Sequence, residues 1–431
     1  MIRRTGRSPV ARAQTAMTLT IPLVLVLAAC GSDDGDADAE GDAEVSESDE
    51  GSDAGEESGA VSSLRVLDYF AHEPDSTVHD QLYEACGEQI SVTIEREAVP
   101  GDTLIARVLQ QASAGTLPDV LMLDNPDVQE IASAGALVPL SNFGLATEGY
   151  VQGVVDASTL DGELYGLQPI TNSIALFYNT EVLAEAGVTP PTTWAELRTA
   201  AEALTSGDQY GIALSAPATF EGSWTFLPFM WSNGGEETDI ATPEVAEALQ
   251  LWVDLVNDGS ASESIITWGQ GDVNDQFMAG NAAMMVNGPW QFPTLEASEV
   301  NFEVVPIPVP DAGGTSVAPL GGEAWTVPDT GDEARQAKAA EFVGCLNTDE
   351  IQLTMATERQ TVPTKVALHE QFVADNPAMA AFAEMVQDAR ARTGKLGTEW
   401  PTAGAEIYTA IQEALTGGAT PEQALENAAR D

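Results

Sequence analysis

The chain has only three histidines among its 431 residues, and His72, His79 and His369 lie far apart. Their spacing fits neither a histidine metal site nor a Ser-His-Asp arrangement. The motifs GxSxG, HExxH, GxxxxGK and GxGxxG are also absent. The chain therefore lacks the sequence signatures of α/β-hydrolases, zinc proteases and nucleotide-phosphate binders. We therefore expect no catalytic residue, no metal and no cofactor, and we do not expect an enzyme.

Long apolar runs are absent as well, and the one near the start, Thr18 to Ala29, is too short to cross a bilayer as a helix. It follows four arginines and ends in Leu-Ala-Ala-Cys, with the cysteine at Cys30. A basic start, an apolar stretch and small residues predict a signal peptide over residues 1–29. The cysteine in this context predicts a lipobox, in which Cys30 is lipidated and anchors the protein to the outer face of the cell membrane. The alternative is ordinary secretory cleavage beside a chance cysteine.

Residues 30–60 contain almost no apolar side chain after the cysteine and are rich in Asp, Glu, Ser and Gly. Such a segment cannot bury enough surface to offset the entropy of ordering. We predict a disordered acidic tether here.

Basic residues are scarce, with 16 Lys and Arg against 68 Asp and Glu, which gives a formal charge of −52. Most of the acids lie beyond the tether, so the folded part is itself strongly acidic. An acidic surface repels nucleic acid and anionic solutes. We expect no nucleic-acid partner.

Cysteine is scarce too, and apart from Cys30 the chain has only Cys86 and Cys345. In an exported protein an even pair is compatible with a disulfide. The Cα separation does not follow from sequence, so two buried free thiols remain an equal alternative.

Strand and helix patterns alternate along the chain, which predicts an α/β fold. The predicted strands are Leu64–Phe70, Ser91–Ala98 and Pro118–Asp124. The predicted helices are Thr193–Thr205, Pro243–Asn257, Arg335–Leu346, Ala378–Arg392 and Ala403–Leu415.

The run PDVLMLD, Pro118 to Asp124, has the pattern of a buried parallel strand. Ligands of open α/β sheets lie beyond the carboxyl ends of the strands. Asp124 and Asn125 are therefore candidate site residues, with turn formation and helix capping as the alternative.

Several segments in order resemble the extracellular solute-binding protein family 1, the sugar-binding lipoproteins of bacterial ABC importers, which include maltose-binding-like proteins. The resemblance spans Leu64 to Ala429. The segments that carry it are LPDVLMLDNPDVQEIASAGALVPL, LDGELYGLQP, IALFYNTEVLAEAGVTPPTTWAEL, FMAGNAAMMVNGPWQ, PLGGEAWTVP and RQTVPT.

The resemblance implies two discontinuous α/β lobes joined by a hinge, as in type II periplasmic binding proteins. Residues 61–170 and 320–365 would form the N-terminal lobe, and residues 171–319 and 366–431 the C-terminal lobe. The chain would cross between them near 168–173, 317–322 and 363–368. A ligand would bind between the lobes.

The same resemblance implies the ligand-binding residues. Sugar recognition uses flat aromatic faces together with carboxylate, amide and guanidinium groups. Trp224 and Trp268 are further stacking candidates, whereas Trp194 and Trp252 fit core packing. The candidates are Glu73, Asp124, Asn125, Asn172, Trp231, Trp290, Glu323, Trp325, Arg359 and Trp400.

The function implied is capture of a neutral sugar by a monomer that delivers it to an ABC permease. Two alternatives stay open. The same fold could bind a polyamine, a peptide or another non-sugar solute, and an extracellular glycosidase could use two carboxylates.

The acidity of the folded part predicts a dependence of stability on salt. Repulsion among carboxylates is screened over a Debye length of about 3 Å near 1 M salt and over about 30 Å at 0.01 M. Dialysis into low salt should therefore lower the melting temperature, measured by thermal unfolding. An unchanged melting temperature would contradict adaptation to a salty medium.

Overall fold

The computed structural model describes residues 61–430. The predicted signal peptide, Cys30 and the tether lie outside these residues. The strands are β1 Ser63–Asp68, β2 Thr93–Ala98, β3 Val120–Asp124, β4 Thr159–Leu160, β5 Glu163–Leu164, β6 Gly166–Leu167, β7 Ile170–Thr171, β8 Ala175–Asn179, β9 Tyr210–Ala213, β10 Ala282–Asn287, β11 Phe302–Val305, β12 Glu323–Thr326 and β13 Val362–Pro363.

Helices alternate with these strands, as the sequence predicts. They are α1 Asp75–Ile90, α2 Gly101–Ala114, α3 Asp127–Ser133, α4 Gln152–Ala157, α5 Thr180–Ala186, α6 Trp194–Leu204, α7 Phe220–Ser232, α8 Pro243–Asn257, α9 Gln270–Met278, α10 Phe292–Glu296, α11 Glu333–Leu346, α12 Asp349–Glu358, α13 His369–Asp375, α14 Ala380–Met385, α15 Trp400–Leu415 and α16 Pro421–Ala428.

The large sheet has the strand order β2-β1-β3-β12-β6. Its first three strands are parallel, and β12 is inserted antiparallel between β3 and β6. The residues of β3 from Val120 to Leu123 are fully buried, because helices cover both faces of a parallel sheet and leave its centre without solvent. The predicted buried strand before Asp124 is confirmed.

The small sheet has the order β11-β8-β10-β9. Strand β10 runs parallel to β9 and antiparallel to β8, and every residue of β10 is buried. Trp252 is fully buried and Trp194 is 7% exposed in the core of this lobe, as predicted. The two sheets and their helices form the two α/β lobes.

Three short segments lie side by side between the sheets. Strand β7 pairs antiparallel with β13, and Asn172 pairs with Gly321. These are the segments for which the sequence predicts lobe crossings. The lobe boundaries themselves stay a prediction.

The predicted helix Ala378–Arg392 is wrong in its second half. The α-helix ends at Met385. Arg390 then donates its backbone N–H to the carbonyl of Ala318 at 2.9 Å, and its own carbonyl accepts from Leu320 at 2.8 Å. The helical pattern continues to Arg392, but these long-range bonds pull the chain out of the helix and bring Arg390 and Arg392 to the region between the lobes.

Between residues 61 and 430, no helix is both long enough and apolar enough to span a bilayer.

Cys86 of α1 and Cys345 of α11 form a disulfide with a Cα separation of 5.8 Å. Of the two alternatives that the sequence leaves open, the structure has the disulfide. The bond joins the first helix of the large lobe to a helix that follows the small lobe, and both residues are buried.

Replacing both cysteines by serine should lower the free energy of unfolding by about 2–4 kcal/mol, because the unfolded chain loses a covalent constraint. Urea denaturation measures the change. As a control, the wild type unfolded in the presence of a reductant should match the double variant. Equal midpoints for the variant and the oxidised wild type would contradict this prediction.

Candidate functional site

A cavity of about 550 Å³ lies between the lobes at the carboxyl end of the large sheet. We call it the interlobe cavity. The large lobe contributes residues 69–75, Asp124, Glu323 and Arg359. The small lobe contributes the start of α7, Gln270 and residues 290–294, and the crossing segments add Asn172, Gly321 and Gly322. Both lobes therefore face the same space.

The register of the large sheet brings two carboxylates together at its end. Asp124, the last residue of β3, is paired directly with Glu323, the first residue of β12. Directly paired residues of antiparallel strands have Cβ atoms about 4.5–5.5 Å apart. Two residues that are 199 positions apart in the sequence thus become neighbours at the cavity.

Arg359 binds two carboxylates of the cavity wall. Its Nε donates to Asp75 Oδ1 at 2.8 Å and its Nη1 to Glu323 Oε2 at 3.3 Å. The guanidinium lies over the ring of Phe70, 4.2 Å from the centroid. Tyr69 donates to Glu323 Oε1 at 2.7 Å. Burial and the nearby Glu323 charge raise the pKa of Tyr69 well above its usual value, so Tyr69 is a neutral donor.

A stack of rings supports this wall from behind. Phe70 stacks on His79 with centroids 3.8 Å apart, and His79 lies 5.9 Å from Trp325. Trp325 donates to the hydroxyl of Tyr83 at 2.8 Å. Burial, aided by the Arg359 charge, lowers the pKa of His79 well below its usual value. A neutral imidazole therefore fills the space between the two rings.

Arg392 forms the second guanidinium of the cavity. Its Nη2 donates to Asp124 Oδ1 at 2.8 Å and to Asn125 Oδ1 at 3.1 Å. Its Cζ lies 4.6 Å from the ring centroid of Trp224, a residue of the small lobe. Arg392 thus contacts both lobes.

Glu221 lies at the small-lobe side of the cavity. Its Oε1 accepts from Ser215 Oγ at 3.0 Å and from the backbone N–H of Gln270, the first residue of α9. Burial raises the pKa of Glu221, and no lysine or arginine among residues 61–430 is ion-paired with it.

Two glycines allow the cavity side chains to take their positions. A Cβ at Gly288 would lie 2.0 Å from the ring of Trp290, and a Cβ at Gly321 would lie 2.0 Å from Asn172 Oδ1 and 2.9 Å from Trp224. Any other residue at either position would displace an aromatic or amide group of the cavity.

Six of the predicted site residues line the interlobe cavity. They are Glu73, Asp124, Asn172, Trp290, Glu323 and Arg359.

The other four predicted residues do not line it. Asn125 is fully buried and accepts from Arg392. Trp231 donates to the buried Glu237 at 2.8 Å. Trp325 shares a sheet face with Glu323, but it lies one pleat deeper and is fully buried. Trp400 is 1% exposed in the small-lobe core. For these three tryptophans the prediction of ligand stacking is corrected, because core packing accounts for them.

Sequence reasoning missed several lining residues. Tyr69 and Phe70 follow β1, so the strand-end rule applied to Asp124 could have found them. Glu221 and Phe220 follow β9 after a loop in the same way. Trp224 was among the stacking candidates and does line the cavity. Arg392 carries no local signal, because long-range pairing brings it there.

Carboxylates outnumber cations in the cavity. Its cations are Arg359 and Arg392, and both are ion-paired. Its carboxylates are Glu73, Asp75, Asp124, Glu221 and Glu323. The arrangement offers hydrogen-bond acceptors and aromatic faces to a ligand and repels anions. Between residues 61 and 430, no three His, Cys, Asp or Glu side chains cluster as metal ligands would.

A larger, open groove of about 860 Å³ lies on the outer face of the small lobe, between α6, α8 and α16. Its lining comes from helix surfaces and not from strand ends. We therefore take the interlobe cavity as the candidate functional site.

The chain as a whole is similar to several known proteins. A family model described as "Bacterial extracellular solute-binding protein" matches residues 81–381. A maltooligosaccharide ABC transporter solute-binding lipoprotein of Streptococcus pneumoniae is 26% identical over 354 residues, covering 73% of this chain and 72% of that protein. A galactooligosaccharide-binding protein of Bacillus subtilis is 24% identical over 340 residues, covering 73% of this chain and 76% of that protein.

Solved structures are similar over most of the described residues. The GacH receptor of Streptomyces glaucescens, whose structures include a complex with acarbose, has a TM-score of 0.76 and 26% identity and covers 85% of this chain and 97% of its own. Maltose-bound MalE3 of T. maritima has a TM-score of 0.77 at 24% identity and covers 86% and 98%. These similarities confirm the fold class predicted from sequence.

Asp127, at the start of α3, provides a test of the electrostatics beside the cavity. Burial and the Asp124 charge raise the pKa of Asp127 to about 8, although Arg392 opposes the shift. The unfolded value lies near 4. The folded state therefore holds an extra proton between about pH 4 and pH 8, and Asp127 reduces stability progressively as the pH rises through this window.

We predict that Asp127→Asn raises the melting temperature at pH 9 relative to the wild type and changes it little at pH 4. Thermal unfolding across pH 4–9 measures the difference. The exposed Asp208 is a control. Asp208→Asn should change the melting temperature by the same amount at pH 4 and at pH 9. A lower melting temperature of Asp127→Asn at pH 9 would contradict the assignment.

Proposed function

This chain belongs to the bacterial extracellular solute-binding proteins, and on that premise we propose that it captures a neutral carbohydrate, from a mono- to an oligosaccharide, between its lobes. It then delivers the ligand to the permease of an ABC importer. The observation that carries the proposal is the composition of the interlobe cavity, where carboxylates and aromatic rings of both lobes face one space.

The aromatic residues suit the apolar faces of a sugar ring. Trp290 is partly exposed at the cavity, and Phe220 is 43% exposed beside it. Large apolar side chains are usually buried unless a partner covers them. Stacking of a pyranose on these rings would bury them on binding.

The polar residues suit hydroxyl groups. Carboxylate oxygens of Glu323 and Asp124 accept hydrogen bonds, while the guanidinium groups of Arg359 and Arg392 donate. The excess of carboxylates disfavours sugar phosphates and other anions. Relatives described as binding maltooligosaccharides and galactooligosaccharides support the same ligand class.

The proposed mechanism is closure of the two lobes about the crossing segments. A ligand that contacts both lobes stabilises the closed arrangement over the open one. The closed protein would present a surface to the permease. We propose that residues 61–170 with 320–365 move against 171–319 with 366–431, and that lipidation of Cys30 holds the protein at the outer face of the membrane. No catalytic step is part of this proposal.

A polyamine is the second candidate ligand. The carboxylate excess of the cavity favours it, and the aromatic rings could contact a cation through their faces. The guanidinium donors of Arg359 and Arg392 beside the aromatic faces favour the sugar, because they repel a cation.

The test is a thermal-shift screen of the purified protein against mono-, di- and oligosaccharides, polyamines and amino acids. A ligand at about 100 times its Kd should stabilise the protein by roughly 2.7 kcal/mol. We expect a shift with one class of saccharide. A response to polyamines alone would refute the carbohydrate proposal and leave the fold assignment unchanged.

Trp290→Ala should weaken binding of that saccharide by at least tenfold, because the ring loses its stacking contact. Isothermal titration calorimetry measures the Kd. Trp268 is the matched control: it is also partly exposed, but it does not line the cavity. Trp268→Ala should bind within threefold of the wild type, and equal losses in both variants would contradict the role of Trp290.

A further inference from the structure

Two arginine–tryptophan pairs join the segment after α14 to helix α7. Arg390 lies over Trp231 with its Cζ 4.5 Å from the ring centroid, and Arg392 lies over Trp224 at 4.6 Å. The two tryptophans are seven residues apart, so they occupy one face of α7 two turns apart. The pairs have the same chemistry, but their surroundings differ.

Arg390 is ion-paired with two carboxylates outside the cavity. Its Nη2 donates to both carboxylate oxygens of Glu237, at 2.8 and 2.6 Å, and also contacts Glu236. The side chain of Glu237 is completely buried. This pair lies outside the interlobe cavity, and its role is to hold the segment against the small lobe.

Arg392 lines the cavity and is only partly engaged. Its side chain is 6% exposed. Only Nη2 is hydrogen-bonded, to Asp124 and Asn125, and its buried Nε has no acceptor among residues 61–430. A buried donor left without an acceptor reduces the stability of the protein. Such a group next to a binding cavity indicates a ligand that supplies the acceptor.

We propose that Arg392 is a ligand-binding residue that sets specificity by donating a hydrogen bond from its unpaired Nε to an oxygen of the ligand. This inference rests on the proposed function. Asp124 and Asn125 hold the guanidinium in place through Nη2, the nitrogen that shares an edge with Nε. Because Arg392 covers one face of Trp224, that face is closed to stacking, and Trp290 is the stacking surface.

The position of Arg392 also couples recognition to closure. It bonds to Asp124 of the large lobe and lies over Trp224 of the small lobe. A ligand oxygen that completes its hydrogen bonds therefore stabilises a group that both lobes hold. Arg392 would select an acceptor oxygen at one fixed position of the sugar. Its guanidinium is planar, and it is held through Nη2 and against the ring of Trp224.

Calorimetric titration of Arg392→Gln and Arg390→Gln tests the proposal, with maltotriose as the probe. Loss of a hydrogen bond from a charged donor should weaken binding by Arg392→Gln about 10- to 100-fold. Arg390→Gln, the matched control, should bind within threefold of the wild type even where its melting temperature falls. Equal affinities of the wild type and Arg392→Gln would overturn the proposal. Should Arg392→Gln fail to fold, Arg392→Lys is used instead. It keeps the charge but removes Nε and the planar guanidinium, and it should lose at least tenfold in affinity.

Monodeoxy analogues of the probe separate a direct contact from a structural effect. If Arg392 donates to one hydroxyl, the analogue lacking it should bind the wild type weakly and lose no further affinity in Arg392→Gln, because the same bond is already absent. If every analogue loses affinity by the same factor in the wild type and in Arg392→Gln, the direct contact is refuted.

Failure of the proposed function has a different signature. If maltotriose does not bind the wild type and another saccharide does, the same two variants are titrated with that saccharide. If only a non-saccharide solute binds, the carbohydrate proposal is refuted, while the comparison of Arg392→Gln with Arg390→Gln in that solute still decides whether Arg392 binds ligand.

Discussion

The insertion of β12 between β3 and β6 is the constraint on which the site depends. The chain leaves the large sheet after β6, forms the small lobe and returns as an antiparallel strand in the middle of the sheet it left. This return pairs Glu323 with Asp124, places Gly321 against Asn172, and leads through α11 and α12 to Arg359. If β12 did not pair with β3, Glu323 would not lie directly opposite Asp124.

Scarce positive charge is concentrated where it has the largest effect. Every lysine and arginine between residues 61 and 430 forms an ion pair. Most of these pairs are partly exposed and contribute little. Arg359, Arg390 and Arg392 differ, since each also lies within 4.6 Å of an aromatic ring centroid, closer than Arg96 or Lys365 lies to its ring. Desolvation strengthens such contacts. The contacts of a few guanidinium groups therefore help to stabilise a strongly acidic protein.

The sequence predicted what depends on local pattern. The helix Pro243–Asn257 is found with those bounds, since Thr242 caps it and its apolar residues recur at helical spacing, and the strand before Asp124 follows from its apolar run. Position along a strand or helix is harder to predict. Trp325 and Glu323 share a face of β12, and Trp224 and Trp231 share a face of α7, yet only one of each pair reaches the cavity. Which one does is decided by long-range packing. The same cause ended α14 early and brought Arg392 to the site, where no local signal marks it.

The disulfide encloses most of the chain. Cys86 and Cys345 are 259 positions apart, and all four strands of the small sheet, from β8 to β11, lie between them. A single peptide-bond cleavage anywhere in that span, as in the exposed loop at residues 311–315, therefore leaves two fragments that remain covalently joined. The packed cores would hold a nicked molecule in its original shape. One cut would therefore not separate the two halves of the candidate site.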